Sequence, residues 1–276
     1  MRQRPATPAC IVGILTVFMV TAVVLPVEAQ VSVHGNLTRE LEVLPGSTHS
    51  GTIVLENYDT KPAEVKLYQT DYRTESPGQN FYDSPGSHPR SNAAWVSISP
   101  MRFTIPPGQT YTVPYVLEVP LDPDLSGSYW SVLMIEAIPP ESPESIEADP
   151  NETTVGIVTV IRYAYGFITH VGNTGTIQPE IENASLTLVD GTPTLGVDIR
   201  NSGTRLLTIE VVAELYDLQG RLIATREGGA RKSYPGSSRR HDIPLADVPP
   251  GEYTALVIID AGYNNVFGAS LSVVLE

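Results

Sequence analysis

From Val31 to the end of the chain, apolar and polar residues alternate in short runs rich in β-branched and aromatic side chains, and no run keeps a helical period beyond two turns. A period of two with that composition predicts strands with one buried and one solvated face. In the first half the predicted strands are Leu37 to Leu44, Gly51 to Glu56, Ala63 to Tyr72, Trp95 to Ser99, Thr110 to Val119, Ser128 to Ile138 and Val155 to Thr169. Pro45-Gly46, Pro77-Gly78, Pro85-Gly86, Pro107-Gly108 and Ser126-Gly127 supply the turns between several of them. The polar stretch from Arg73 to Asn92, whose large apolar groups are Phe81 and Tyr82, reads as a long loop with room for an extra hairpin.

The strand pattern stops at Val171, is interrupted by Gly172-Asn173-Thr174-Gly175, and then restarts. In the second half it predicts strands at Ile181 to Val189, Thr194 to Arg200, Leu206 to Leu218, Arg221 to Thr225, Ser238 to Pro244, Glu252 to Asp260 and Val266 to Leu275. About seven short strands in roughly 100 residues is the size of an immunoglobulin-like sandwich. The expected architecture is therefore all-β, with two tandem immunoglobulin-like β-sandwiches over 30–171 and 177–276 and a linker at 172–176.

Ahead of them, Arg2 and Arg4 precede an apolar stretch from Cys10 to Leu25, and Val27-Glu28-Ala29 supplies small residues before Gln30. This is the layout of a cleaved signal peptide over 1–29. The apolar run is short for a spanning helix, and no later segment is apolar enough to span a bilayer, so no membrane span is expected after cleavage. Cys10, at the front of that run, is the sole cysteine, so the exported chain would hold no thiol. Export without disulfides points to a bacterial periplasm or cell surface. Asn36, Asn151 and Asn183 head glycosylation-type triplets that read as chance matches in that setting.

Charge narrows the functions. Without Arg2, Arg4 and Glu28 the chain keeps 15 basic against 30 acidic residues, which argues against nucleic acid as a partner. The acidity suits general solvation better than a single cationic partner. The run Glu136, Glu141, Glu144, Glu147, Asp149 and Glu152 reads as a solvated connection between two strands. Arg226, Arg231, Lys232, Arg239, Arg240 and His241 read either as a contact for an anionic surface or as a charged sheet edge.

The ordered set of motifs in the first half carries a resemblance. The stretch from Val96 through Pro106-Pro107-Gly108 to Thr110, the segment Leu121 to Trp130, and Ile138-Pro139-Pro140, with the opening Asn36 to Val43 and Gly51 to Asn57, is similar to the N-terminal domain of the PapD-like periplasmic pilus-assembly chaperones. The match runs from Leu37 to about Phe167. The second half is similar instead to generic bacterial immunoglobulin or fibronectin-like modules that end Pro-Pro-Gly-x-Tyr, here Pro249 to Tyr253. The resemblance implies a non-enzymatic holder of an exported β-rich, pilin-like subunit, to which the chaperone lends an edge strand. It places that strand at Val155, Ile157, Thr159, Ile161 and Tyr163. It also implies a partner carboxylate held jointly by Arg39 and Arg162, since arginine can grip a carboxylate by two parallel hydrogen bonds. The other reading is a structural or adhesive surface module in which that strand closes its own sandwich and each arginine pairs with a nearby acid.

Little in the chain suggests catalysis. His34, His49, His88, His170 and His241 stand in no nucleophile-elbow or zinc-protease spacing, and no phosphate-cradling glycine loop occurs. Asp122 and Asp124 offer two oxygens for calcium but read as a turn. No enzyme, metal or cofactor is expected, and oligomeric state is left open.

Overall fold

A computed structural model describes residues 30–140, 142, 144 and 160–275. The predicted signal peptide, and Val155, Ile157 and Thr159 of the predicted donor strand, lie outside the described residues. The chain is all-β. Apart from a short 3-10 turn at Ala93–Trp95, its regular elements are strands. No helix among the described residues is long and apolar enough to cross a membrane.

In the first half, β1 (Val31–Val33), β3 (Thr48–Asn57), β8 (Thr110–Glu118) and β6 (Val96–Ile98) form one sheet in the order β1-β3-β8-β6. The second sheet runs β2-β10-β9-β4-β5, with β2 at Thr38–Val43, β10 at Arg162–Val171, β9 at Gly127–Ile138, β4 at Ala63–Glu75 and β5 at Gln79–Asp83. A further strand, β7 (Arg102–Ile105), pairs with β4. These are the two layers of an immunoglobulin sandwich. The first strand is split: β1 pairs antiparallel with β3 in one sheet, and β2 crosses to run parallel to β10 in the other. Leu55, Ile105, Leu117, Leu133, Ile135 and Phe167 are wholly buried between the layers.

The second half repeats the plan. One sheet is β11-β12-β15 (Pro179–Val189, Thr192–Asn201, Ser238–Pro244). The other is β14-β13-β16-β17 (Leu222–Ser233, Leu207–Tyr216, Gly251–Asp260, Val266–Leu275). Among the described residues no strand of one half pairs with a strand of the other. The second half has its own core around Val197, Ile199, Leu207, Ile209, Leu215 and Ile243. The Pro-Pro-Gly-Glu-Tyr motif finds its reason here: the Tyr253 hydroxyl donates to the Pro249 carbonyl at 2.7 Å, closing a tyrosine corner at the start of β16.

The strands depart from the sequence pattern where local signals are weakest. β1 and β7 are too short to show a period, and β5 is the hairpin inside the Arg73 to Asn92 stretch. The strand expected to stop at Thr225 continues to Ser233. Two register shifts, one opposite Gly228, let β14 bend and stay paired with β13 despite its glycines and charges.

The Gly172 to Gly175 gap is tied down. Thr174 Oγ1 accepts the Gly127 N–H at 2.9 Å, and Arg205 Nη1 donates to Asn173 Oδ1 at 2.7 Å. The Ser128 N–H reaches the Thr204 carbonyl at 2.9 Å. Gly127, at φ +75°, lies so close to that carbonyl that a Cβ would sit 2.2 Å from its oxygen.

Candidate functional site

The outer face of the β2-β10-β9-β4 sheet turns toward the second sandwich. Buried Trp130 and Ile168 meet buried Leu206 of the other half, with Tyr72 and Tyr234 packed at the side. The Trp130 indole N–H donates to the Tyr72 carbonyl at 2.6 Å, and the ring stacks on His88 at 4.4 Å between centroids. Burial holds the His88 imidazole below its ordinary pKa. The tip of β4 carries this contact outward: the Thr74 N–H donates to Ser237 Oγ, the Ser76 N–H to Ser238 Oγ, and the Ser76 hydroxyl bonds Asp198. The two sandwiches thus share a small apolar centre ringed by hydrogen bonds.

On the β2 side of that contact lies an open cleft of about 540 Å³ lined by Asn36, Leu37, Thr38, Arg39, Glu40 and Lys232. Glu40 sits at its base. Its carboxylate receives Lys232 Nζ from the second sandwich and lies 2.9 Å from Nε2 of buried His170. Burial pushes the Glu40 carboxyl up, and the hydrogen bonds from Lys232 and His170 more than offset it, so the group sits below the usual carboxylate range. His170 Nδ1 is 2.8 Å from the Ser128 hydroxyl, whose oxygen accepts the Leu206 N–H.

β10 runs into this region with unequal neighbours. It pairs with β9 over its whole length, from Arg162 opposite Glu136 to Val171 opposite Gly127. Its pairing with β2 begins only at Gly166, opposite Thr38. The Gly166 N–H donates to the Leu37 carbonyl, so the even-numbered residues of β10 turn their backbone groups to the β2 side. Upstream of Gly166, Arg162 and Ala164 turn theirs to an edge with no strand on it among the described residues. Tyr163, Tyr165 and Phe167 project inward onto the core. Ile161 lies just ahead of the strand and is half-buried.

The two arginines expected to act jointly are not brought together. Arg39 is opposite Phe167, on the inner face at the sheet edge, whereas Arg162 is five residues earlier on β10 and on the outer face. At about 3.3 Å per residue they are roughly 16 Å apart along the strand and on opposite sides of the sheet. Arg162 is committed to Glu136, 2.9 Å away, whose carboxylate also accepts the Tyr68 hydroxyl. Arg39 makes no ion pair among the described residues, and Lys232 is the other cation that lines the cleft. The spacing of one residue on each of two strands could not reveal this, because it depends on their register.

Both charge runs are partly paired. Of the acidic run, Glu136 and Glu144 are paired, with Arg162 and Lys66, while Glu141, Glu147, Asp149 and Glu152 lie outside the described residues. In the basic cluster, Arg240 holds Asp198, Lys232 holds Glu40, Arg239 donates to the Tyr72 hydroxyl, and His241 is buried. Arg226 donates to the Ala246 carbonyl, and Arg231 stays exposed on β14. Among the described residues no group of three or more His, Asp or Glu side chains could hold a metal ion.

The interface residues Trp130, Ile168 and Tyr234 escaped the sequence reading. The signal was in β9, where Tyr129-Trp130-Ser131-Val132-Leu133-Met134-Ile135 is apolar on both faces, as in a strand covered on both sides.

Comparison with known proteins gives structural likeness only: no family model matches the chain, and no curated protein does. The chain is similar to solved structures of pilus chaperones. It matches a chaperone–tip adhesin complex of CFA/I fimbriae biogenesis at 12% identity, with 90% of this chain and 100% of that chain covered and a TM-score of 0.46. The SafA pilin–SafB chaperone structure of Salmonella enterica matches at 15% identity, 88% and 97% coverage and a TM-score of 0.41. The CsuC–CsuE chaperone–tip subunit complex of Acinetobacter baumannii matches at 10% identity, 88% and 98% coverage and a TM-score of 0.41.

Proposed function

We propose that this protein is a non-enzymatic chaperone of the bacterial periplasm, which holds an exported β-rich, pilin-like subunit by strand addition at β10. The observation that carries the reading is the edge at Arg162 and Ala164, which no strand covers among the described residues, paired to β9 on one side and continuing the line of β2 on the other. A partner strand laid there extends the existing sheet, and its main-chain hydrogen bonds supply affinity without a specialised pocket. The neighbouring residues of the predicted donor strand, Val155, Ile157, Thr159 and Ile161, belong to the same proposal, with Tyr163 anchoring its inner face.

The carboxylate role stays with Arg39, which lines the open cleft at the start of β2, where a strand continuing the line of β2 would end; Lys232, held by Glu40 on the outer face, lines the same cleft and takes the place given to Arg162. A structural or adhesive role remains the second reading, favoured by the firm tie between the two sandwiches.

The test is capture of bound subunits from periplasm, identified by mass spectrometry, with the wild type and Ala164→Pro. Proline removes an N–H that faces the open edge and leaves the ladder to β9 intact. Loss of a subunit captured by the wild type supports the proposal. Equal capture by both proteins, or no subunit with either, overturns it in favour of the structural role.

A further inference from the structure

Among the described residues, most strands at a sheet edge are blunted. β1 and β6 are three residues long, β2 carries Arg39, Glu40 and Glu42, and β11 opens on Pro179 and bulges between Ile181 and Asn183. β14 is charged and twice shifted in register, and β15 is charged and ends on Pro244. Short, charged, bulged or proline-capped edges resist pairing with other chains. β17 has none of these features. It is ten residues long, Val-Phe-Gly-Ala-Ser-Leu-Ser-Val-Val-Leu, with no charge and no proline, and its register with β16 is unbroken.

The outward groups of β17 can be assigned. The Ala261 N–H donates to the Asn265 carbonyl at 3.0 Å, which makes that pair the hydrogen-bonded kind. Such pairs alternate along an antiparallel ladder. Phe267, Ala269, Leu271, Val273 and Leu275 therefore bond to β16, while Val266, Gly268, Ser270, Ser272 and Val274 turn their N–H and C=O groups away from it. No strand or hydrogen bond meets those groups among the described residues. The same five residues are exposed.

The geometry points to a second copy of this chain as the occupant, paired antiparallel through β17 about a two-fold axis at Ser270. In that register Val266 faces Val274 of the other copy, Gly268 faces Ser272, and Ser270 faces its own counterpart. On the inner side Phe267 faces Val273 and Ala269 faces Leu271. Every outward backbone group from Val266 to Val274 gains a partner, and apolar side chains meet apolar ones. The chain carries a net charge of −14, so two copies repel over most of their surface. β17 brings no charge to the contact. An isologous pairing of this kind also closes, using up both edges and leaving none to propagate. It lies in the other sandwich from β10 and does not depend on the chaperone reading.

Sedimentation of the purified protein across a concentration series tests the pairing. The wild type is expected to pass from monomer to dimer as concentration rises. Ser270→Glu and Ser270→Lys each place like charges opposite one another at the axis and should remain monomeric. An equimolar mixture of the two should dimerise again, because the axis now pairs opposite charges. That rescue separates pairing at Ser270 from a general loss of stability. A wild type that stays monomeric throughout, a Ser270→Glu protein that dimerises as the wild type does, or a mixture that stays monomeric overturns the proposal. Uptake of a foreign uncharged peptide by a monomeric wild type would assign the edge to another protein.

Discussion

Arg240 grips Asp198 through both carboxylate oxygens, Nε at 2.8 Å and Nη2 at 2.7 Å, from the neighbouring strand of the second sandwich. The same carboxylate takes the Asn183 amide and the Ser76 hydroxyl, and Ser76 belongs to the first sandwich. Arg240, aided by the Ser76 and Asn183 hydrogen bonds and opposed by burial, draws Asp198 down from 3.8 to about 2. A carboxylate depressed in the folded state stabilises the fold above its unfolded pKa, and that contribution disappears as pH falls through the folded value. The stability lost between pH 4 and pH 2 from this group should be about 2 kcal/mol. Denaturant melts over that range should show the loss in the wild type and a flatter dependence in Asp198→Asn, which starts from a lower stability at pH 7.

Trp130 is the centre of the contact between the sandwiches, so its removal should uncouple them. Trp130→Ala leaves a cavity among Ile168, Leu206 and Tyr234 and should cost about 3–5 kcal/mol. Each half keeps its own core. Calorimetry should therefore resolve two transitions in the variant where the wild type shows coupled unfolding.

How far the chain could be read in advance follows from the range of each signal. Among the described residues the strands announced by a period of two were found, down to identical bounds at Ser238–Pro244 and Val266–Leu275, while the strand announced at Val155 begins at Arg162, with Val155 to Thr159 outside the described residues. Turns marked by Pro-Gly pairs were legible because a left-handed residue is a local demand, as at Gly46 and Gly108. The split of the first strand between two sheets was not, since β1 shows three residues and no turn separates it from β2 by any marked motif. The candidate site was less legible still. Arg39 and Arg162 each occupy a suitable motif, but faces and levels follow from the parallel register of β2 on β10, in which Phe167 rather than Arg162 is opposite Arg39. The Glu40–His170–Lys232 cluster joins three strands and two sandwiches, and nothing in its local sequence marks it.

Gly127 should tolerate no side chain. Its left-handed backbone alone makes alanine costly by about 1–3 kcal/mol, and the added Cβ would then press on the Thr204 carbonyl. Gly172, also at positive φ, has open space around it and supplies the control. Equilibrium unfolding should show Gly127→Ala less stable than Gly172→Ala by more than the backbone strain they share. Equal losses would mean that the close approach of Gly127 to Thr204 is not maintained in solution.

The last prediction separates the two arginines. Arg162 is 55% exposed and paired with Glu136 on the outer face, so Arg162→Ala should lower stability by no more than about 1 kcal/mol and leave partner affinity within a factor of two or so. Arg39 lines the cleft with Lys232 and makes no ion pair among the described residues, so Arg39→Ala should leave folding nearly unchanged. If a partner's terminal carboxylate binds there, the same variant loses a charge-assisted hydrogen bond of about 1.5–3 kcal/mol. That is roughly a ten- to hundredfold weaker complex. Lys232→Ala should weaken binding too, and it also frees Glu40 to repel the incoming carboxylate. Titration of a captured subunit against the three variants checks the assignment. Weakening by Arg162→Ala with Arg39→Ala silent would put the anchor on the outer face, beside Glu136 and Tyr68, and remove the interdomain cleft from the binding surface.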